Sequence, residues 1–421
     1  MRKTRLLMLL PMLFLLSSCV GKEPNDRAYV TAIGIDKVDV GYLYTIQFAK
    51  PDKISGGSSE SGGSGGDIVE NISVEAPTIY SAINNANAIV SKDFTMSHAK
   101  ILVVSEEVAA EGMNGINDTL ARNNETRPGM YIAIAENAGE YLEEVKPVIE
   151  LNPSNYYQLT YENKNGSRTP QNNAIEFYFS CVSDKEDCVL PLAGTASAEE
   201  DSETTNESGG EESGDKSIIN ESQSNAPINE SGFENMTRNQ TAGEAGVSIK
   251  NKSETMGMAV FKSDKYIGKL GSTETEIYNI LIGKFRDDYI TFRDDNSDTP
   301  VTLKIEEKTY PEYEIDIDNK SVKINVILES NLQSTSYNYQ KTVEEIESKA
   351  AEMVDKRAED FIKTVYKEMG ADVLGIRGRI KGKFLTINEY DKYCENFDPS
   401  EWNIEVNTKM RMKRTEMTYY N

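Results

Sequence analysis

Ile101-Leu102-Val103-Val104-Ser105-Glu106-Glu107 is a strand that runs straight into a helix. The four apolar residues form a short uninterrupted run, as expected of a strand covered on both faces. Ser105 can cap a helix, and the two acids beside it would sit at the positive end of the helix dipole. Gly112 closes that short helix. Working outward, the same alternation continues on both sides. Upstream, Tyr29 to Asp36 and Tyr42 to Phe48 read as strands joined by a turn at Asp39-Val40-Gly41. Pro77, at a first helical position, then leads Ile79, Ala82, Ile83, Ala86, Ile89 and Val90 along one helix face. Downstream, a helix near Asp118 to Asn123 precedes the strand Met130 to Ala135. Strands alternating with helices predict a sheet covered by helices.

The C-terminal half uses the same elements in a different order. Met258 to Phe261 and Tyr266 to Leu270 flank Ser263-Asp264-Lys265, a hairpin signature, and Thr273 to Leu281 reads as a helix. Val301, Leu303 and Ile305, and then Val322, Ile324, Val326 and Leu328, alternate with polar residues as in half-buried strands. Val343, Ile346, Ala350, Val354, Phe361, Ile362, Val365 and Met369 mark one face of a long helix ending at Gly370. The alternation from Trp402 to Met412 predicts a long terminal strand. The fold class expected is α+β, with mixed sheets in more than one subdomain, covering helices, and a long amphipathic helix and terminal strand in the C-terminal half.

Arg2, Lys3 and Arg5 precede an apolar core from Leu6 to Leu16, too short to span a bilayer and suited to a signal peptide over residues 1–18. Leu16-Ser17-Ser18-Cys19 then has the form of a bacterial lipobox, which makes Cys19 the expected site of diacylglyceryl attachment. Two acyl chains would hold the mature chain stably on a membrane surface. Residues 19–195 are expected to form an N-terminal α/β domain, interrupted by a flexible Gly/Ser loop at 54–66. Residues 196–252, rich in Ser, Glu, Asn, Thr and Gly, are expected to be a disordered acidic insert, and residues 253–421 a C-terminal α+β domain.

The 421 residues carry 45 Lys and Arg against 69 Asp and Glu, a net charge of −24 that argues against nucleic acid as a partner. One histidine, His98, and four cysteines leave little from which to build a transition-metal site or His-centred catalysis. His98 is expected to satisfy a strand entrance. Cys181 and Cys188 bracket a polar stretch whose ends meet if it forms a hairpin, so the sequence admits a local disulfide and equally two separate thiols. Cys394 reads as an inert thiol. Gly268 to Thr273 has phosphate-loop ingredients without a contiguous Gly-Lys-Ser/Thr ending, and Asp294 to Asp298 lacks the closing Glu of a calcium loop. No cofactor and no enzymatic activity are expected. Arg377, Arg379, Lys381 and Lys383 form a compact basic cluster in an acidic chain, either a solvated strand or loop or a contact for a partner or lipid headgroups.

Four blocks resemble, in order, the C subunits of spore germinant receptors, the Ger(x)C lipoproteins. They are Cys19 followed by Arg27 to Asp36; His98 to Glu107 through Gly112 with Arg122 to Arg127; Gly257 to Lys262 with Asp264, Lys265, Gly268 and Leu270; and the long helix followed by Asp372-Val373-Leu374-Gly375 and Trp402. After Cys19 that family usually shows Trp-Asp, where Val20-Gly21 stands here. The resemblance implies a mixed α/β architecture of about three subdomains. It also implies a non-enzymatic lipoprotein on the outer face of the inner spore membrane, beside two polytopic subunits of a nutrient-sensing receptor. The alternative is a solute-binding lipoprotein of a membrane transporter, which would require two similar lobes around a ligand cleft.

Overall fold

The structure, a computed structural model, describes residues 26–49, 69–90, 92–146, 150, 153–162, 167–183, 185–196, 239–244, 253–294, 297–334 and 342–415. The signal segment, Cys19, the Gly/Ser loop and most of the acidic insert lie outside the described residues.

Strands β1 (Arg27–Lys37), β2 (Tyr42–Ala49) and β3 (Val69–Ala76) form an antiparallel meander, with Ile33 opposite Ile46. The short β4 (Asp93–Thr95) runs parallel to the start of β1. On its other side β1 continues into a parallel set, β5 (Ile101–Ser105), β6 (Tyr131–Ala135) and β7 (Val189–Thr195). The antiparallel hairpin of β8 (Ser253–Lys262) and β9 (Lys265–Leu270) closes the sheet. The order is β3-β2-β1-β5-β6-β7-β8-β9, with β4 on β1.

Both faces of the parallel strands are buried. Leu102, Val104, Ile132 and Ile134 pack toward α1 (Ile79–Ile89), α2 (Glu106–Glu111), α3 (Asn114–Arg122) and α6 (Ala174–Ser183). Their neighbours Ile101, Val103, Ala133 and Ala135 pack toward α4 (Ala138–Glu144) and α5 (Pro153–Glu162). A bulge in β1 between Val30 and Ala32 explains why Val30 and Ile33, three apart, reach the same core. Ser105 caps α2 by accepting from the Val108 N–H, with Glu106 and Glu107 in the first turn. Pro77 precedes the helix it was expected to open, because Thr78 supplies the cap of α1.

The second sheet has the order β10-β11-β13-β12, from β10 (Asp287–Asp294), β11 (Ser297–Glu307), β12 (Glu312–Asp316) and β13 (Ser321–Ser334). The long β14 (Asn403–Thr415) lies parallel to β13 from Ser321↔Asn403 to Leu332↔Thr415. Helices α7 (Ser272–Ile282) and α8 (Val343–Ile362) share a core with Val301, Leu303, Ile305, Val322, Ile324, Val326 and Leu328. The helix expected to run unbroken to Gly370 instead widens to π geometry over Lys363–Met369, and Gly370 ends it in the left-handed region. Val365 and Tyr366, both buried, lie in this wider turn.

Two sequence expectations change at the insert. The hairpin expected to open a separate C-terminal domain completes the first sheet, and Val189, Met258 and Val260 share the core of α7 and α8. Backbone pairing to β7 decides this, because β7 would otherwise be an exposed edge. Residues 239–244, within the stretch expected to be disordered, pack on β8 and α7. The Ala242 N–H donates to Met256 O, the Ser272 N–H to Gln240 O, and the Thr273 N–H to Asn239 Oδ1 at 2.9 Å. Gly271, at the cap position of α7, has no side chain to meet the Thr273 amide, so Asn239, within the insert, does so.

Candidate interaction site

Past Gly370 the chain folds around a buried aspartate. Asp372 accepts from the Tyr366 hydroxyl at 2.7 Å and from the Ile376 and Arg377 N–H groups at 2.8 Å each. Its own N–H donates to Asp187 Oδ2 at 2.8 Å, while the Asp187 N–H donates to Asp372 O and the Ser263 N–H to Asp187 Oδ1. Arg377 lies 3.5 Å from Asp187 and 3.9 Å from Asp372. The knot therefore joins the β7 approach and the β8–β9 turn of the first sheet to the C-terminal segment. Burial pushes Asp372 up to about 6 against the lowering effect of the Arg377 N–H and the Tyr366 hydroxyl. Gly375, at φ +65°, sits where a Cβ would press on Glu186 Oε2 at 3.0 Å.

From this knot α9 (Ile376–Arg379) and a 3-10 turn (Ile380–Lys383) carry the basic cluster, and α10 (Ile387–Cys394) follows. The cluster was expected on a strand or loop. Anchoring by Asp372 and burial of Ile376 and Ile380 make it helical instead. Its four cations part company. Arg377 is turned inward, held between two aspartates and 5.7 Å from the Phe397 ring, so it is not a surface contact. The Arg379 guanidinium lies 3.7 Å from the Tyr313 ring and donates to Leu374 O. Lys381 stands 5.6 Å from the Tyr390 ring, and Lys383 is exposed. Beside them Leu385 is 96% exposed and Ile387 65% exposed, a pair the sequence reading passed over. Their signal was an apolar-basic mixture, Lys381 to Ile387, without acids.

The remaining candidates fall elsewhere. Cys181 on α6 and Cys188 before β7 are free thiols in this structure. Asn117 Nδ2 approaches the Cys181 sulfur at 3.6 Å, and the thiol faces Ser263 O at 3.5 Å. Burial pushes Cys181 up to about 12 and Cys188 well above the ordinary thiol range, so neither is an activated nucleophile. Cys394 packs at the edge of the larger core. His98 ends a 3-10 turn before β5, edge-on to Tyr29 at 4.9 Å, with burial and then Arg127 and Lys100 lowering its pKa. Gly268 to Leu270 lies within β9, so it is no phosphate loop.

A cleft of about 690 Å³ opens beyond the carboxyl ends of β5, β6 and β7. That edge is where ligands bind in many α/β sheets. Glu106, Glu136, Glu140 and Glu244 line it with Lys269, whose ammonium is 3.0 Å from Glu106. Among the described residues no three His, Cys, Asp or Glu side chains are grouped to hold a metal ion, and no helix is long and apolar enough to cross a membrane.

Two family models match the chain. One, described as the spore germination protein N-terminal domain, covers residues 21–195, and the other, spore germination B3/GerAC like, C-terminal, covers residues 256–416. The chain is 29% identical over 159 residues to spore germination protein KC of Bacillus subtilis (strain 168), across 37% of this chain and 39% of that protein. The match thus spans about two fifths of the curated relative's length. Among solved structures, the crystal structure of the GerBC protein is similar at a TM-score of 0.49 and 12% identity, over 91% of this chain and 97% of that one.

Proposed function

The chain belongs to the GerAC family of spore germination proteins, and from that premise we propose that it is the lipid-anchored C subunit of a nutrient germinant receptor. The observation that carries the reading is the pair of family models, matched in order over both halves of the chain. Cys19, next to the signal core, would take the diacylglyceryl group and keep the folded part at the outer face of the inner spore membrane. Held there, a modest interface with two polytopic subunits suffices, because tethering raises their effective concentration. The subunit acts by contact rather than catalysis. Burial keeps the Cys181 and Cys188 thiols away from reactivity, and the one histidine sits edge-on to Tyr29. The transporter alternative loses support, since it needs two like lobes and the two sheets differ in strand order and direction.

Deleting the gene should abolish the germination response to one nutrient while sporulation proceeds. A deletion strain that responds normally to every nutrient, with redundant receptors also removed, would sink the receptor reading. Cys19→Ala should abolish fatty-acid labelling and release the protein from membranes. Unchanged labelling would refute the anchor.

A further inference from the structure

The exposed apolar pair at residues 385 and 387 is built, not left over. Thr386 caps α10 by accepting from the Glu389 N–H at 3.2 Å, while Glu389 Oε2 accepts from the Thr386 N–H at 3.3 Å. The residue before such a cap commonly packs on the fourth helical residue, which here would set Leu385 on Tyr390. Instead Phe384 takes that place, with ring centroids 5.8 Å from Tyr390 and 5.2 Å from Tyr393. Leu385 is thereby turned fully outward on a fixed turn, and Ile387 follows it at the first helical position.

The charges beside this pair are cationic. From Val373 to Asn388 the sequence holds four cations and no acid, in a chain of net charge −24. Arg377 points inward, which leaves Arg379, Lys381 and Lys383 at the surface. The acids nearby are accounted for locally. Asp316, which faces Lys383, binds Asn319, and Glu389 closes the cap. Asp318, next to Asp316, and Asp391 and Glu395, farther along the chain, add exposed negative charge.

A capped turn that presents two large aliphatic side chains beside two ammonium groups matches the boundary of an anionic bilayer, where headgroup phosphates meet acyl chains. We propose that the Lys381–Ile387 turn is a second membrane contact, with Leu385 and Ile387 entering the headgroup layer and Lys381 and Lys383 meeting anionic lipid phosphates. It rests on the reading that Cys19 anchors the chain. The first contact supplies affinity, and the second would fix which face of the molecule looks at the membrane.

The test uses the full lipidated protein, purified from membranes and reconstituted in vesicles whose acyl chains are brominated, which quenches tryptophan emission at short range. The native Trp402, 1% exposed, supplies the background. Val40, 88% exposed at the β1–β2 turn, is the control position. In vesicles containing phosphatidylglycerol, Leu385→Trp should be quenched about twofold more than Val40→Trp, and less in vesicles of phosphatidylcholine alone. Adding Lys381→Glu and Lys383→Glu should remove the excess at unchanged melting temperature. Equal quenching at both positions in the anionic vesicles overturns the proposal, including the case in which this turn serves a protein partner. Wild-type protein recovered in the supernatant overturns the anchor, a separate failure.

Discussion

Asp372 shows how a single buried carboxylate sets both architecture and pH response. Fully enclosed, it receives three hydrogen bonds and faces Arg377, so Asp372→Ala would strand those donors and cost about 3–5 kcal/mol. Urea unfolding of the variant measures this. Burial raises Asp372 to about 6, raises Glu276 on α7 to about 7 with Asp288 adding to the effect, and raises the half-buried Glu307 to about 8. All three bind protons more tightly folded than unfolded, where carboxyls titrate near about 4. Between about pH 4 and 8 these three groups hold more protons in the native state, so together they outweigh the single opposing His98, whose pKa is lowered, and stability falls as pH rises through that window. Carboxylates lowered by partners, such as Asp118, Glu306, Asp316 and Asp398, act in the opposite sense only below their unfolded values. The melting temperature should rise on going from pH 8 to pH 5, and Glu276→Gln should flatten the profile near pH 7. A calorimetric series that rises toward pH 8 would contradict this. None of it was legible in the sequence, where Asp372, Glu276 and Glu307 are three of 69 acids.

At the scale of elements, α8 was the most readable part of the chain. Ile346, Ala350, Val354, Ala358 and Phe361 recur at helical spacing and are all buried against the second sheet. Thr342 accepts from the Glu345 N–H, and Glu345 Oε2 accepts from the Thr342 N–H at 2.8 Å. Phe361→Ala should cost about 3–5 kcal/mol by opening a cavity, and Thr342→Ala about 1 kcal/mol by losing a cap. Equilibrium denaturation that ranked them the other way would mean that α8 is held by its end rather than its face. By contrast α4 and α5 left no apolar signature, because their buried residues include tyrosines. Tyr141 and Tyr161 share a hydrogen bond at 3.1 Å, and the Tyr157 hydroxyl donates to Gln47 at 2.7 Å. Such groups look half-polar until their partners, remote in sequence, are known.

For the whole molecule, the acidic insert separates into parts with different consequences. Replacing residues 197–238 by a short Gly/Ser linker should leave the melting temperature nearly unchanged. Extending the replacement through Glu244 removes the Asn239 cap on α7 and the Ala242 contact with β8, and should lower it by about 2–4 °C, the size of a 1 kcal/mol change in a domain of this length. Equal melting temperatures for the two deletions would show that residues 239–244 add nothing to stability. Periodicity, capping residues and glycine positions were enough to read the strands around Ile33 and Leu102, the helices α1, α2, α7 and α8, and the order of blocks that marks the family, because each depends on residues within one or two turns of each other. Which sheet the β8–β9 hairpin joins, and which of four neighbouring cations faces inward, depended on partners 66 to 190 residues away: Val189 opposite Val260, Asp187 beside Arg377, and Tyr313 under Arg379. Local patterns state what a segment can bury. Only the assembled structure decides against what, because backbone pairing and charge burial are settled by whichever remote surface leaves the fewest polar groups without partners.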